Sequence, residues 1–307
     1  MKRGVAEGAS RAVLARKSKS FALAAKLLPA RSRDDVALLY AYCRRADDAV
    51  DECPANEQAG RVTALRLELS AIYAGMAQSD PLLAAFQQLI VRYDIPREYP
   101  EALLDGLSTD IGRVRIATLD ELLLYAHRVA GVVGLMLCHV FGLSDRGALR
   151  NADDLGIAMQ LTNICRDVAE DWRRDRLYLP ADVVRACSEQ GSNAALEPLA
   201  AESRAGIARA IQRLLTIADR YYASGDAGLF ALPFRVALAV RAARLIYAAI
   251  GQRLARQGFD VTAGRAVVPA WQKLLLAARA MLEESASRLR RRLSGREPLG
   301  LGARDGS

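Results

Sequence analysis

The stretch LGIAMQLTNICRDVAEDWRRDRLYLP, residues 155–180, decides how this chain folds. From Leu155 to Val168 apolar residues occupy nearly every side of a helical wheel, and a helix that is apolar all round is buried. The strongly polar residues of that span, Gln160, Asn163, Arg166 and Asp167, share one sector of the wheel, and Asp171 extends it to about 80° from Asn163. A polar stripe on a buried helix faces a polar interior site, not bulk water. Asn163, Asp167 and Asp171 form an i, i+4, i+8 ladder of oxygen donors. Asp153, Asp154 and Asp175 fall outside the stripe and read as surface or cap residues.

An earlier segment, 120 residues upstream (167 − 47), repeats the arrangement: LYAYCRRADDAVDE, residues 39–52. With Val36 at 0°, Tyr40, Cys43 and Val50 fall within about 40° of it, and Asp47 and Asp51 land at about 20° and 60°. Arg44 lies beside them at about 80°. Asp48, Arg45 and Glu52 point the other way and read as a solvated face. A buried, unpaired carboxylate is costly and demands a cation. Two of them at i, i+4 sit about 6 Å apart along one face, a spacing suited to a divalent metal. One such pair is most often a solvated helix face. Two pairs, each on the buried side of its helix, leave either a metal site or two salt-bridge networks with local arginines.

The rest of the sequence agrees with an all-α class. The chain has 307 residues, 52% hydrophobic, ample for a large core. Apolar positions recur at helical spacing almost throughout, and nothing reads as a strand. Helices are expected near 10–27, 33–52, 58–76, 80–93, 119–142, 146–173, 196–223, 233–257 and 267–292. Breaks are expected at Pro29, Pro54, Pro81, Pro96, Pro100, Pro180, Pro233 and Gly258. Ser32 with Asp35 forms a candidate capping box. Residues 174–195 read as the longest irregular stretch, 1–295 as one domain and 296–307 as a disordered tail.

Five scattered cysteines without a CxxC pair point to a reducing cytoplasm, and two histidines nearly exclude an imidazole-based metal site. Any metal here is expected to be hard and oxygen-bound. The net charge of +8 suits nucleic acid, anionic lipid or small phosphorylated substrates. The basic N-terminus lacks the apolar region of a signal peptide. The apolar run VAGVVGLMLCHVFGL, residues 129–143, is too short to span a bilayer. RLRRRL, residues 288–293, reads either as a solvated helix end or as a contact for lipid headgroups.

The paired aspartate segments resemble the squalene/phytoene synthase family, which joins two prenyl diphosphates head to head. SKSFALAAKLLP (18–29), YAHRVAGVVGLM (125–136) and LPFRVALAVRAARLIYAAI (232–250) extend the resemblance over roughly 15–275. Its wording is most similar to the bacterial phytoene synthases. The resemblance implies a single-domain isoprenoid-synthase helical bundle with a central cavity, its two aspartate-rich helices facing each other across the mouth. It makes Asp47, Asp51, Asn163, Asp167 and Asp171 ligands of magnesium, with manganese as an alternative, and the four aspartates catalytic. It assigns diphosphate contacts to Ser18, Lys19, Ser20, Tyr40, Arg44, Gln160, Arg166, Tyr247 and Arg265. Read from the residues alone, Lys19 could equally be a solvated charge, Ser18 and Ser20 caps, and Tyr40 and Tyr247 core tyrosines. His127, Asp175 and Cys165 depart from the family pattern, which favours an aromatic, a glycine and an aliphatic or alanine there. His127 is expected to alter the cavity wall.

The family reaction explains the residue types. Diphosphate leaves readily only when its charge is neutralised, by metal, arginine forks and lysine. The allylic cation left behind needs a dry pocket and tolerates aromatic faces, with Phe21, Tyr40, Tyr42, Phe230 and Phe234 as candidates. Gly131 and Gly134 either make room for a prenyl tail or let helices pack closely. The expected function is condensation of two geranylgeranyl diphosphates through a cyclopropyl diphosphate to phytoene. The alternative is a C15 enzyme using farnesyl diphosphate to make presqualene diphosphate, hydroxysqualene, squalene or dehydrosqualene. A class I terpene cyclase or a basic helical adaptor fits less well, the adaptor because its acids should point outward. Neither a nicotinamide cofactor nor nucleic acid is expected. The expected location is cytoplasmic, with room for peripheral contact at the inner membrane face.

Overall fold

The computed structural model describes residues 2–188 and 198–294; the expected tail at 296–307 and the expected helix start at 196 lie outside them. Within the described residues the chain forms thirteen α-helices and two strands of two residues each. The helices are α1 (Lys2–Lys17), α2 (Lys19–Ala25), α3 (Ala30–Asp51), α4 (Gln58–Tyr73), α5 (Pro81–Tyr93), α6 (Glu98–Ser108) and α7 (Leu119–Ala126). They continue as α8 (Val132–Val140), α9 (Arg146–Trp172), α10 (Ala181–Cys187), α11 (Arg204–Gly228), α12 (Phe234–Arg256) and α13 (Ala270–Leu293).

The two aspartate helices each organise a hydrophobic cluster. Around α3, Leu39, Tyr42, Ala46 and Val50 pack with Leu69, Phe86, Leu104 and Met136 from α4, α5, α6 and α8. Around α9, Leu161, Ile164, Cys165 and Val168 pack with Leu122, Ile211, Leu214 and Ala242 from α7, α11 and α12. A third, smaller cluster joins α2 and α12 to the start of α3. The interior cavity runs between these clusters. α9 keeps its 27 residues because Asp145 caps its start, accepting a hydrogen bond from the Ala148 amide at 2.9 Å.

Several boundaries differ from expectation for identifiable reasons. Ser18 interrupts the expected helix at 10–27: it caps α2 by accepting from the Phe21 amide, so the chain restarts there. The Ser32–Asp35 capping box does not form, because α3 begins after Pro29. Asp35 instead turns inward, accepting from the Tyr93 hydroxyl at 2.6 Å and pairing with Arg92. Pro96 falls in the break between α5 and α6, as expected, but Pro100 does not end structure. Pro100 sits in the first turn of α6, where a missing N–H leaves no hydrogen bond unmade. The stretch after residue 173 is less irregular than expected: Arg176–Leu177 pairs in parallel with Val114–Arg115, and Pro180 starts α10.

α7 and α8 join through a π-helical turn, His127–Gly131, giving one helical stretch from Leu119 to Val140. By length and composition alone this 22-residue stretch could cross a membrane, which corrects the expectation drawn from residues 129–143. Here it packs on α6 and α9 and forms part of the cavity wall. Gly131 and Gly134 serve close packing. A Cβ on Gly134 would lie 2.5 Å from the Ala152 carbonyl oxygen, and one on Gly131 would lie 1.9 Å from an Asp153 oxygen.

Candidate active site

A cavity of about 790 Å³ opens between α3 and α9. Every residue assigned from the sequence to metal or diphosphate lines it: Ser18, Lys19, Ser20, Tyr40, Arg44, Asp47, Asp51, Gln160, Asn163, Arg166, Asp167, Asp171, Tyr247 and Arg265. The wheel sector of α3 around Val36 and Cys43 is the wall of this cavity, while the residues most deeply packed lie beside it at Leu39, Tyr42 and Ala46. The remainder of the wall is apolar, including Leu103, Val133, Leu137, Phe141, Leu155 and Leu232. One end is therefore charged and the rest is greasy.

The four aspartates sit near the C-terminal ends of α3 and α9. Helix C-termini carry partial negative charge, so carboxylates there intensify the demand for cations. Without a metal, arginines meet much of it. Arg44 reaches Asp47 at 2.8 Å and also pairs with Asp48. Arg176, on the second strand, donates to Asp51 at 2.8 Å, with Arg174 at 3.6 Å from the same carboxylate. Asp167 accepts from Arg166 Nε at 2.7 Å and from Arg265 Nε at 2.8 Å. Asp171 has no ion-pair partner within 4 Å among the described residues.

The electrostatics follow from these pairings. Burial pushes Asp47 up to about 6, with Arg44 opposing and Asp51 reinforcing the rise. Burial also pushes Asp171 up to about 7, helped by repulsion from Asp167 and Glu170. For Asp167 burial acts in the same direction, but the hydrogen bonds from Arg166 and Arg265 win and hold it below the usual carboxylate range. Of the four aspartates, Asp171 alone thus lacks a paired cation among the described residues.

Among the described residues no three carboxylate, imidazole or thiolate groups converge on one point as a finished metal cluster. Guanidinium groups occupy the spaces beside the acids. The donor set nevertheless suits a hard cation. All five candidates are oxygen donors, two carboxyls are held above their ordinary range, and Asn163 Oδ1 is buried without a hydrogen-bond partner. Magnesium needs few protein oxygens when phosphate and water complete its shell.

Beside the acids, Phe21 lies 5.0 Å from Tyr247 and 6.3 Å from Tyr40, ring centre to ring centre. Tyr247 is buried beside the Ser18 and Asn163 side chains, which lower the pKa that burial raises, so this tyrosine is both buried and part of the site. Burial raises Tyr40 to about 12 and Cys43 to about 12, which keeps both protonated. The other aromatic candidates do not line the cavity. Tyr42 stacks on Phe86 at 3.6 Å in the core, Phe230 is largely exposed beneath Arg291, and Phe234 packs under Arg288.

Residues read as surface are partly tied down. Asp48 pairs with Lys17 at 2.8 Å, and Arg45 grips Glu68 through both nitrogens at 2.6 and 2.8 Å. Asp153 holds His127 Nδ1 at 2.7 Å and Asp154 accepts from Ser224, so neither is free on the surface. His127 therefore does not reach the cavity wall, contrary to expectation; its bond to Asp153 raises its pKa. Cys165 is a core thiol. Asp175 takes a left-handed φ of +58°, which explains why a glycine suits that position.

Five charged cavity residues escaped the sequence reading: Lys17, Asp110, Glu170, Arg174 and Lys273. Glu170 was legible, since i+7 from Asn163 puts it on the same stripe. Asp110 carried no periodic signal. It accepts from the hydroxyls of Tyr178 at 2.6 Å and Tyr125 at 3.1 Å, and burial raises it to about 6. Arg176 was missed as well, because it reaches Asp51 from 125 residues away.

An all-helical bundle with two acid-bearing helices facing one charged and greasy cavity defines the chain's class. Residues 14–272 match the squalene/phytoene synthase family model, and the chain belongs to that family of prenyltransferases. Among its relatives, the phytoene synthase of Rhodobacter capsulatus is 40% identical over 271 residues, 88% of this chain and 79% of that protein. The 15-cis-phytoene synthase of Pantoea ananas is 36% identical over 282 residues, 89% of this chain and 90% of that one. Among solved structures, a dehydrosqualene synthase with bound ligand superposes at a TM-score of 0.82 and 26% identity, covering 94% of this chain and 98% of its own. The squalene synthase HpnC of Alicyclobacillus acidocaldarius, at a TM-score of 0.74 and 24% identity over 83% of this chain and 95% of its own, shares the fold.

Proposed function

We propose that this chain condenses two geranylgeranyl diphosphates head to head, through a cyclopropyl diphosphate, to phytoene, releasing two diphosphates and two protons, one at the cyclopropyl stage and one at the last. The observation that carries this reading is the cavity itself, charged at the ends of α3 and α9 and apolar beyond. Such a division fits a substrate with an anionic head and a long hydrocarbon tail. Its relatives named phytoene synthase, at 36–40% identity, favour the C20 substrate.

Asp47, Asp51, Asn163, Asp167 and Asp171 would hold magnesium, or manganese. Bound there, the ion supplies Lewis-acid neutralisation of the departing diphosphate. Arg44, Arg166 and Arg265 now neutralise acids in the cavity; with substrate present they turn to phosphate oxygens, joined by Ser18, Lys19, Ser20, Gln160 and the hydroxyls of Tyr40 and Tyr247. The faces of Phe21, Tyr40 and Tyr247 steady the allylic cation without attacking it. The apolar wall excludes the water that would quench it. Residues 1–295 act as one domain, in the cytoplasm and in peripheral contact with the inner membrane face. The five free cysteines favour that compartment.

The test is incubation with geranylgeranyl or farnesyl diphosphate and magnesium, with and without NADPH. A C40 triene formed only from the C20 substrate, regardless of NADPH, supports the proposal. A C30 product moves the assignment to the C15 enzymes, and absence of diphosphate release from either substrate refutes both.

A further inference from the structure

The outer face of α13 carries a continuous apolar stripe that no other part of the described chain covers. Trp271 is 64% exposed, Leu275 60%, Leu282 72%, Leu289 60% and Leu293 79%. On the helical wheel these five residues fall within about 40° of one another, opposite the side that Ala280 and Glu284 turn to the core. From Trp271 to Leu293 the stripe runs about 33 Å. Isolated exposed leucines need no explanation, but an ordered row of them along one helix does.

Charge says what covers it. α13 holds six basic residues and two acidic ones. Glu284 is buried between Arg241 and Arg288, and Glu283 is tied to Arg279 at 2.7 Å. Arg279 and Arg290 flank one edge of the stripe at about 80–100° from Trp271, and Arg292 flanks the other at about 300°. Such side chains lie along an apolar surface and lift their guanidinium groups to its polar boundary. A second copy of this chain would set two basic helices against each other with no free acid between them. An anionic bilayer offers both a hydrocarbon layer for the leucines and phosphates for the arginines.

We infer that the outer face of α13 is a membrane-docking surface, which lays Trp271, Leu275, Leu282, Leu289 and Leu293 into the headgroup–acyl boundary of an anionic lipid bilayer. The surface leads to the site: Val267, just before α13, is exposed and also lines the cavity, and Lys273 on the inner side of α13 lines it too. A lipid-like substrate therefore has a short path from the bilayer to the cavity. This inference names the surface for the peripheral contact proposed above and rests on that reading.

The experiment is flotation of the full chain, without substrate, on vesicles of phosphatidylcholine alone or mixed with phosphatidylglycerol. Wild-type protein should float with the anionic vesicles only. Leu275→Ser/Leu282→Ser removes apolar area without changing charge and should weaken binding by about tenfold or more. The same variant should keep its melting temperature and its turnover of detergent-dispersed substrate. Equal flotation of variant and wild type overturns the inference, as does equal binding to neutral vesicles. A wild-type dimer that the variant converts to monomer also overturns it, by showing that a second copy covers the stripe. Turnover in detergent is scored separately, so an inactive but vesicle-bound protein counts against the proposed reaction and not against the docking surface.

Discussion

Replacing Asp171 with asparagine should stabilise the metal-free protein while abolishing its activity. Burial, then the neighbouring charges of Asp167 and Glu170, raise this carboxyl from 3.8 to about 7. The difference, 7 − 3.8, is about three units, or at most about 4 kcal/mol at ~1.4 kcal/mol per unit. The cavity is open to solvent at this end, and screening reduces that to about 2 kcal/mol. The sign follows from proton counting. Between pH 4 and 7 the folded chain holds a proton that the unfolded chain has released, so stability falls as pH rises through that window and stays reduced above it. Asparagine carries no such penalty. In chelator at pH 8, Asp171→Asn should therefore melt about 4 °C above wild type, and at pH 4 the two should nearly coincide. Differential scanning calorimetry at both pH values measures this. Magnesium with inorganic diphosphate should reverse the order at pH 8, because only the wild-type site then gains a full ligand set. A variant that melts at or below wild type in chelator at pH 8 would refute the idea that this acid is held in place for a cation the chain itself does not supply.

Three further outcomes are expected. Arg176→Met leaves Asp51 with only the exposed Arg174 at 3.6 Å and should cost about 2 kcal/mol in urea denaturation at neutral pH. Gly156→Ala drives a Cβ to 2.4 Å from the Ala130 carbonyl oxygen and should cost about 3 kcal/mol, whereas Gly60→Ala in α4, with nothing within 4 Å, should gain up to about 1 kcal/mol. Phe21→Leu keeps bulk but removes the aromatic face and should lower kcat, while Tyr42→Phe in the core should leave kcat unchanged; steady-state product analysis separates the two.

The acids were legible because a helix converts spacing into direction. Asp47, Asp51, Asp167 and Asp171 share their wheel sectors with residues that line the cavity, whatever the rest of the chain does. Arg44 and Arg166 were legible on the same wheels, but no period pointed to the distant cations, and Arg265 was named only through the family resemblance. Arg176 and Arg265 arrive from a two-residue strand and from the connection before α13, 125 and 98 residues from the acids they hold, and no local period encodes such an approach. The same limit hid α6, where Pro100 looks like a break until its place in the first turn is known, and Asp110, whose meaning comes from two tyrosines elsewhere in the chain. Gly131 and Gly134 were ambiguous for a related reason: a sequence shows that a side chain is missing, not what stands in its place.

Those glycines also bear on how such a catalyst changes its product. Along the α8–α9 seam the cavity is walled by main chain at Gly134 and Gly156, each with a carbonyl oxygen within 2.5 Å of where a Cβ would sit. Main chain cannot be trimmed by mutation, and any added carbon strikes a carbonyl. The ruler that measures isoprenoid length must therefore be graduated on side chains that can grow or shrink, such as Val36, Leu137, Phe141 and Leu232. Libraries meant to retune chain length belong at those positions, with the seam left untouched.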